Sequence, residues 1–214
     1  MKENQPWSIT EKPGLKKIVP RGFYMMTVVN NEDQRRLHPL KFTLWVAIAS
    51  ILMMFAGLTS AYIVKSNFTG WRTMVLPGIF WVSTLVIVLS SLSMHFALKA
   101  FKSSEMQRYR MFLAATLVLG ILFLVCQVLG FTELWAQNIK FKGASGAGQF
   151  FYAIVGLHAL HILGGVVALT VMVVRTLTGK TKSYNRIPVE AMSIYWHFID
   201  ILWVYLMFFF FITS

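Results

Sequence analysis

The sequence predicts an all-α integral membrane protein, a bundle of five transmembrane helices with the N terminus inside and the C terminus outside. Hydrophobic residues make up 57% of the 214 residues and charged residues only 13%, far from the composition of a soluble globular protein. The apolar residues gather in five long segments, and all 20 Lys and Arg residues lie at or beyond the segment ends. Composition, segment length and charge placement therefore agree on one fold class.

Five apolar segments, found with a window of about 19 residues, define the predicted helices. They cover residues 42–64, 76–98, 111–134, 149–174 and 190–212, and each can span about 30 Å of hydrocarbon. The connections are short and polar or glycine-rich, which forces each helix to lie antiparallel to its predecessor. The chain is thereby divided into a polar basic head, residues 1–41, and a five-helix transmembrane domain, residues 42–214.

The distribution of basic residues predicts the orientation. The head has eight Lys and Arg residues, and the second and fourth connections have four each. The first and third connections have two each, and the tail has none. Because positively charged loops stay on the cytoplasmic side, the head is expected in the cytoplasm. The same placement argues against a nucleic-acid partner, despite a formal charge of +12, since such a protein concentrates its cations on one soluble face.

Small residues at helical spacing predict where helices approach one another closely. They are Gly57 with Ala61, Ala56 with Ser60, and Gly164 with Ala168, together with Ser83, Ser90 and Ser91 in the second segment. We expect these residues to pack against neighbouring helices, because lipid offers no hydrophobic drive for association and close van der Waals contact must replace it.

Polar residues inside the apolar segments form the candidate functional site. A charged side chain at the bilayer centre costs about 2.5–3.5 kcal/mol, so such a residue needs a partner within the bundle. The sequence predicts an interhelical polar network of His158, His161, Glu190, His197 and Asp200, with Gln127 and Glu133 as further polar residues of the third segment.

Depth and helix periodicity predict which members of this network meet. His161 lies about 20 Å from the inner end of the fourth segment, and Asp200 lies about 15 Å from the inner end of the fifth. His158 and His161 share one helix face, as do His197 and Asp200. A hydrogen bond or charged pair between Asp200 and His161 is the specific expectation.

Three interpretations of the network are open: structural pairing that fixes helix register, a proton relay, and a metal or haem site. Structural pairing is favoured. A di-iron bundle site needs about four carboxylates and a Glu-x-x-His motif on each of two helices, which the sequence lacks. The one cysteine, Cys126, allows neither an intrachain disulfide nor a thiolate cluster. No metal ligand is therefore assigned, and Trp71, Arg72 and Trp196 are the candidate lipid contacts.

Motifs in all five segments resemble one family. The stretches YWHFIDILWVYL and GLHALHILGG are similar to the last-span and paired-histidine signatures of subunit III of the haem–copper terminal oxidases, the cytochrome c and quinol oxidase group. LPGIFWVSTLVIVLSSLSMHFALKA, TLVLGILFLVCQ and SILMMFAGLTSAY resemble that family's patterns in the preceding spans. Only the polar head, residues 1 to about 38, lies outside the likeness.

The resemblance implies a non-catalytic accessory subunit of a cytochrome c oxidase in a bacterial inner membrane. Haem and copper would lie in partner subunits and none in this chain, which would pack against subunit I and other oxidase subunits and hold bound phospholipid. Oxygen reduction coupled to proton pumping would belong to the complex. A larger respiratory supercomplex is a further implied partner.

Two departures from the family qualify this resemblance. Ile51 stands where many members carry a buried glutamate, so a proton-carrying role of that carboxylate does not transfer. The chain also lacks the two extra N-terminal spans of the seven-span form, which wall the family's lipid cleft. The alternatives are a quinol oxidase subunit III, a b-type haem anchor of a respiratory dehydrogenase, and a secondary carrier, which would show broken helices or inverted repeats.

Overall fold

Five long α-helices form the described part of the protein. The computed structural model describes residues 39–67, 77–136, 146–178 and 186–213. The helices are α1 (Pro39–Ser66), α2 (Ile79–Lys102), α3 (Met106–Ala136), α4 (Gly146–Leu177) and α5 (Arg186–Thr213). All five are long and apolar enough to cross a membrane, which confirms the predicted helix number and class. The chain divides into units of residues 1–42 and 43–214, and only the start of α1 is described in the first.

The helix ends differ from the predicted segment ends by a few residues. The largest difference is at α3, predicted from residue 111, which begins at Met106. The added turn carries polar side chains, including Gln107 and Arg108, that lie where water and lipid head groups can solvate them. Hydropathy does not detect such a turn, although its backbone continues the helix. At α2 the helix begins later than predicted, because Pro77 and Gly78 form the turn that precedes Ile79.

A tight corner joins α2 to α3. Ser104 has a φ angle of 60°, in the left-handed region. The Glu105 N–H donates to the Ala100 carbonyl at 3.0 Å, and the Ser104 N–H donates to the Phe101 carbonyl at 3.1 Å. These two hydrogen bonds make a Schellman motif, which satisfies carbonyls that the end of α2 leaves free. Glycine is the usual residue at the left-handed position, since a side chain there is strained.

Replacing Ser104 by glycine is expected to raise the free energy of unfolding by about 1 kcal/mol, because a residue with a Cβ atom pays about that much in the left-handed region. Unfolding of the full chain in mixed micelles, followed by far-ultraviolet circular dichroism, measures the gain. Ser103→Gly is the control, since Ser103 has an ordinary φ of −82° and should gain nothing. An equal gain in both variants would contradict the strain assigned to Ser104.

Three large side chains of α5 build the interior in three layers. Trp196, Trp203 and Phe210 follow one another at seven-residue intervals, so they point in nearly the same direction at successive depths. All three are buried. Each makes ring or close contacts with the neighbouring helices, so that α5 is the element about which the other helices pack.

Trp196 fills the first layer. The side chain is 1% exposed, and its Nε1 donates to the Ser90 hydroxyl of α2 at 3.0 Å. Gly120 of α3 and Gly165 of α4 lie against the indole, where an added Cβ atom would be 2.9 Å and 3.0 Å from the ring. Trp196 therefore connects α5 to three helices. The prediction that it contacts lipid is wrong, because the face of α5 that carries it points inward.

Between the second and third layers, α3 closely approaches α2. A Cβ atom added at Gly130 would be 2.7 Å from Cζ of Phe80. Phe80 is fully buried, and its ring contacts Phe151 of α4 at 5.4 Å and Trp203 at 6.3 Å. The Phe80 ring therefore packs against rings of α4 and α5, and a side chain at position 130 would force it to shift.

The small-residue prediction is confirmed for α2 and wrong for parts of α1 and α4. Ser83 and Ser90 are fully buried, and the Ser90 hydroxyl lies 3.5 Å from the Thr116 carbonyl of α3. Gly57 and Gly164 instead have nothing within 4 Å of an added Cβ atom. The residues Ala56, Ser60 and Ala168 are exposed. On α4 the close approach occurs at the next residue, Gly165, because the indole from α5 lies there.

Helix α1 contacts α4 and α5 along one narrow stripe. Four of its residues are buried: Ile48, Phe55, Thr59 and Tyr62. The Phe55 ring meets His161 of α4 at 5.9 Å, and the Tyr62 ring meets Phe209 of α5 at 5.3 Å. Thr59 shares a 3.3 Å hydrogen bond with the Tyr205 hydroxyl. Large side chains thus make this contact and keep the α1 backbone away from its neighbours, which explains why the glycine of α1 is open.

Candidate functional site: an intramembrane polar cluster

His158 lies completely buried in the middle layer. Its ring stacks on Trp203 with centroids 5.1 Å apart and meets Phe55 and Phe123 edge-on, each at 6.2 Å. Neither ring nitrogen has a hydrogen-bond partner among the described residues. The His158 ring therefore packs as one of the aromatic rings of the bundle interior.

His161 is half-buried one turn along α4 and bonds within its own helix. Its Nδ1 donates to the Leu157 carbonyl at 2.7 Å. The His161 carbonyl accepts a hydrogen bond from the Tyr195 hydroxyl of α5 at 3.1 Å. The expected Asp200 to His161 hydrogen bond is wrong, since Asp200 makes no hydrogen bond to it or to another described residue. A local carbonyl satisfies the imidazole, and Tyr195 makes the connection between α4 and α5 instead.

His197 pairs with α2 rather than with α4. Its Nδ1 lies 2.7 Å from the Ser91 hydroxyl. One turn further along α2, the ring of His95 lies 6.5 Å from the His197 ring, centroid to centroid. His197 is half-buried and His95 is exposed. These three residues form a polar seam between α2 and α5 that reaches the outer surface of the bundle.

Asp200 lies at the buried end of this seam. It is 4% exposed, and neither carboxylate oxygen has a hydrogen-bond partner within the described helices. The Ser91 hydroxyl lies within range of the carboxylate, but its short contact is to His197. In space, a row of polar side chains thus runs from the bundle interior to the surface, in the order Asp200, Ser91, His197 and His95.

The remaining predicted residues lie apart from this seam. Glu190 is half-buried one turn into α5, and Glu133 is exposed near the end of α3. The Gln127 side chain donates from Nε2 to the Ser83 hydroxyl at 3.3 Å, which joins α3 to α2. Trp71 and Arg72 lie outside the described residues.

The structure thus separates the predicted network into two parts. His197 and Asp200 meet α2 at Ser91, whereas His158 is enclosed by aromatic rings. Sequence reasoning missed Ser91 and His95 as partners, although their spacing of four places them on one helix face. A second missed signal is the pair of tryptophans in α5, because a buried indole N–H requires an acceptor. Trp203 finds it in the Thr84 hydroxyl of α2 at 3.1 Å.

Several polar side chains join helices in this bundle, among them Ser91, Trp196 and Trp203. Across the four described stretches, no three His, Cys, Asp or Glu side chains come close enough together to hold a metal ion. Five apolar helices joined by Ser, Thr and Trp contacts are typical of an integral membrane helix bundle.

Comparison with known proteins identifies the family. Residues 27–214 match the family model described as cytochrome c oxidase subunit III. The chain is 26% identical to cytochrome c oxidase subunit 3 of Bacillus sp. (strain PS3), over 76% of this chain and 80% of that protein. It is 27% identical to cytochrome c oxidase subunit 3 of Corynebacterium diphtheriae, over 84% of this chain and 95% of that protein.

A relative from a quinol-oxidising enzyme is similar to the same degree. The chain is 31% identical to cytochrome bo(3) ubiquinol oxidase subunit 3 of Buchnera aphidicola subsp. Acyrthosiphon pisum, over 76% of this chain and 81% of that protein. The chain belongs to the cytochrome c oxidase subunit III family, whose members are parts of a multi-subunit oxidase.

Proposed function

We propose that this protein is the accessory subunit III of a haem–copper terminal oxidase, acting as a cytochrome c oxidase subunit in a bacterial inner membrane. It packs against subunit I and other subunits, which hold the haem and copper. It supports oxygen reduction coupled to proton pumping without catalysing a step itself. The family match over residues 27–214 supports this function, as do the two relatives named for cytochrome c oxidases.

The observation that carries the non-catalytic role is the enclosure of His158. A fully buried imidazole surrounded by Trp203, Phe55 and Phe123 is committed to packing. His161 uses Nδ1 for its own helix. A bis-histidine haem between α4 and a neighbouring helix would have to displace these aromatic contacts. This disfavours the alternative of a b-type haem anchor.

The test is copurification of the tagged full chain in a mild detergent. We expect a haem-containing complex, with subunit I identified by mass spectrometry. After dissociation with a stronger detergent, the haem absorbance should remain with the partner and not with this chain. Recovery of a stable lone chain with no haem-containing partner would contradict the proposal, and a Soret band on the isolated chain would favour the haem anchor.

The electron donor is proposed to be cytochrome c, with quinol as the alternative that the Buchnera relative suggests. The complex obtained by copurification distinguishes them directly. Oxidation of reduced cytochrome c, with no oxidation of a ubiquinol analogue, is the expected result. The reverse pattern would assign the chain to a quinol oxidase and leave its structural role unchanged.

Bound phospholipid is proposed in the groove between α1 and α5. This groove has a volume of about 390 Å³ and is lined almost entirely by apolar side chains. They include Leu52 and Phe55 of α1 and Phe198 and Ile201 of α5, with Tyr205 at the level of its hydrogen bond to Thr59. An acyl chain fits such a groove, because the lining offers dispersion contacts and few hydrogen-bonding groups.

The polar seam is proposed to hold α2 and α5 in register. The Ser91 to His197 contact and the two indole hydrogen bonds, from Trp196 and Trp203, join the same two helices at two depths. Each interhelical hydrogen bond contributes about 0.6–2 kcal/mol in a membrane. A line of three such contacts fixes both the rotation and the axial position of α5.

The proposed orientation has the N terminus in the cytoplasm and the C terminus outside. Asn67, at the end of α1, is then outside, and Ser103, after α2, is inside. We expect Asn67→Cys to react with a membrane-impermeant maleimide in intact cells or spheroplasts and Ser103→Cys to react only after lysis. Both positions are exposed, while the native Cys126 is buried and gives a low background. Labelling of Ser103→Cys in intact cells would reverse the orientation.

A further inference from the structure

A pocket of about 290 Å³ lies at the corner between α2 and α3. The last turns of α2 contribute Phe96, Lys99 and Ser103, and the first turns of α3 contribute Glu105, Arg108 and Phe112. Neither the polar seam nor the groove beside α1 includes any of these residues. The pocket lies where two transmembrane helices meet the aqueous surface, so it is open both to lipid and to water.

Helical spacing gives the pocket an apolar floor and a polar rim. Phe96, Lys99 and Ser103 follow one another at intervals of three and four on α2, so they share one face. Phe112 and Arg108 stand four apart on α3. The two phenylalanine rings contact each other with centroids 5.6 Å apart, nearer the membrane interior than the charged groups. The apolar floor is therefore suited to contact an acyl chain, and the polar rim is suited to contact a lipid head group.

The rim carries one uncompensated positive charge. Arg108 forms a 2.8 Å ion pair with Glu105, which neutralises the only carboxylate of the pocket. Lys99 has no ion pair among the described residues and lies in the last turn of α2, where the helix dipole favours a cation. Lys102 and Arg110 add positive charge nearby without lining the pocket. A singly charged phosphodiester matches this balance.

We propose that this pocket binds the head-group phosphate of an anionic phospholipid. Lys99 contacts the phosphate, the Ser103 hydroxyl donates a hydrogen bond to it, and the Arg108 guanidinium borders it from α3. One acyl chain runs along Phe96 and Phe112 toward the membrane interior. A charge-assisted hydrogen bond to phosphate is stronger than a neutral one, so Lys99 provides most of the affinity.

The apolar floor favours a lipid over free phosphate as the occupant. Phe96 is 47% exposed, and Leu92, one turn deeper on α2, is 51% exposed, so apolar surface continues from the pocket into the membrane. Inorganic phosphate would leave this surface uncovered. A zwitterionic lipid would bring its own cation close to Lys99, Lys102 and Arg110, which repel it.

The experiment titrates the detergent-solubilised full chain with dioleoyl-phosphatidylglycerol or dioleoyl-phosphatidylcholine and counts bound lipid by native mass spectrometry. We expect the anionic lipid to bind preferentially. Lys99→Gln should weaken its binding about tenfold, the effect of losing one charge-assisted hydrogen bond. Lys102→Gln is the matched control, with the same charge change three residues away, and should bind as wild type does. Excess inorganic phosphate should not displace the lipid.

Each contrary outcome overturns a defined part of the proposal. Equal losses in Lys99→Gln and Lys102→Gln would mean diffuse surface charge rather than a pocket. Equal binding of both lipids would contradict the preference for an anionic lipid. Displacement by inorganic phosphate would contradict a lipid as the occupant of the pocket. If Lys99→Gln loses helicity, Ser103→Ala replaces it, with an expected loss of about fivefold. The measurement needs no oxidase partner, so its failure is independent of the proposed function.

Discussion

Replacing Trp196 by alanine is expected to lower the free energy of unfolding by about 3–5 kcal/mol, the cost of removing a large buried side chain. The indole contacts Gly120 and Gly165 and donates its Nε1 hydrogen to Ser90. Both facing positions are glycines, so neither has a side chain that could move into the space. Unfolding of the full chain in mixed micelles, followed by far-ultraviolet circular dichroism, measures the loss.

Trp45→Ala is the matched control, since Trp45 is 60% exposed on α1 and its removal should change the free energy by no more than about 0.5 kcal/mol. Trp196→Phe separates packing from hydrogen bonding, because it keeps a ring and loses the indole N–H. We expect an intermediate cost of about 1–2 kcal/mol for that variant. Equal losses for the Trp45 and Trp196 alanine variants would contradict the central position of Trp196.

Gly130→Val is expected to destabilise the bundle by about 1–3 kcal/mol through overpacking. A Cβ atom at this position would lie 2.7 Å from Phe80, whose ring also packs against Phe151 and Trp203. The free energy of unfolding in mixed micelles again provides the measurement. The same substitution at Gly164, where nothing lies within 4 Å of an added Cβ atom, is the control and should be nearly neutral in the isolated chain.

A double-mutant cycle tests whether the clash is with Phe80 itself. Combined with Gly130→Val, Phe80→Leu should cost less than it does alone, because the smaller side chain makes room for the new one. Strictly additive losses would locate the strain elsewhere. A greater loss for Gly164→Val than for Gly130→Val would contradict the assignment of the close contact.

Hydropathy was sufficient to find the five helices of the described residues, because a backbone in lipid must satisfy its own hydrogen bonds and a long apolar segment does so as a helix. The helix ends were less predictable. The first turn of α3, from Met106, is polar and lies beyond the apolar segment, so its helical state depends on the corner at Ser104 rather than on hydropathy.

Packing partners could not be predicted from the same information. Gly57 and Gly164 each have a small residue four positions further along the helix, a spacing common at close helix contacts, yet nothing packs against either glycine. Close contacts occur instead at Gly120, Gly130 and Gly165. The difference is the side chain on the opposite helix, Trp196 or Phe80, and the sequence of one helix does not contain that information. Small residues permit a close approach without causing one.

Only part of the candidate site was predicted, because its contacts also depend on how neighbouring helices pack. Depth was enough to bring His197 and Asp200 to one region of α5, but depth does not determine the rotation of α5 about its axis. The indoles that face α2 and α4 set that rotation, and it brings His197 to Ser91 instead of bringing Asp200 to His161. His161 also has a carbonyl of its own helix within reach, an option that an interhelical argument ignores.

Helix α1 is synthesised first, although its partners come last. The Thr59 to Tyr205 hydrogen bond joins residues 146 positions apart in the chain. The aromatic rings of α1 contact rings of α4 and α5. During translation α1 therefore has no packing partner among the described helices until α4 has been inserted, and its contact stripe is complete only when α5 follows. Its narrow contact stripe and otherwise lipid-compatible surface allow this delay. These contacts place the docking of the first described helix late in the assembly of the bundle, after the insertion of α4.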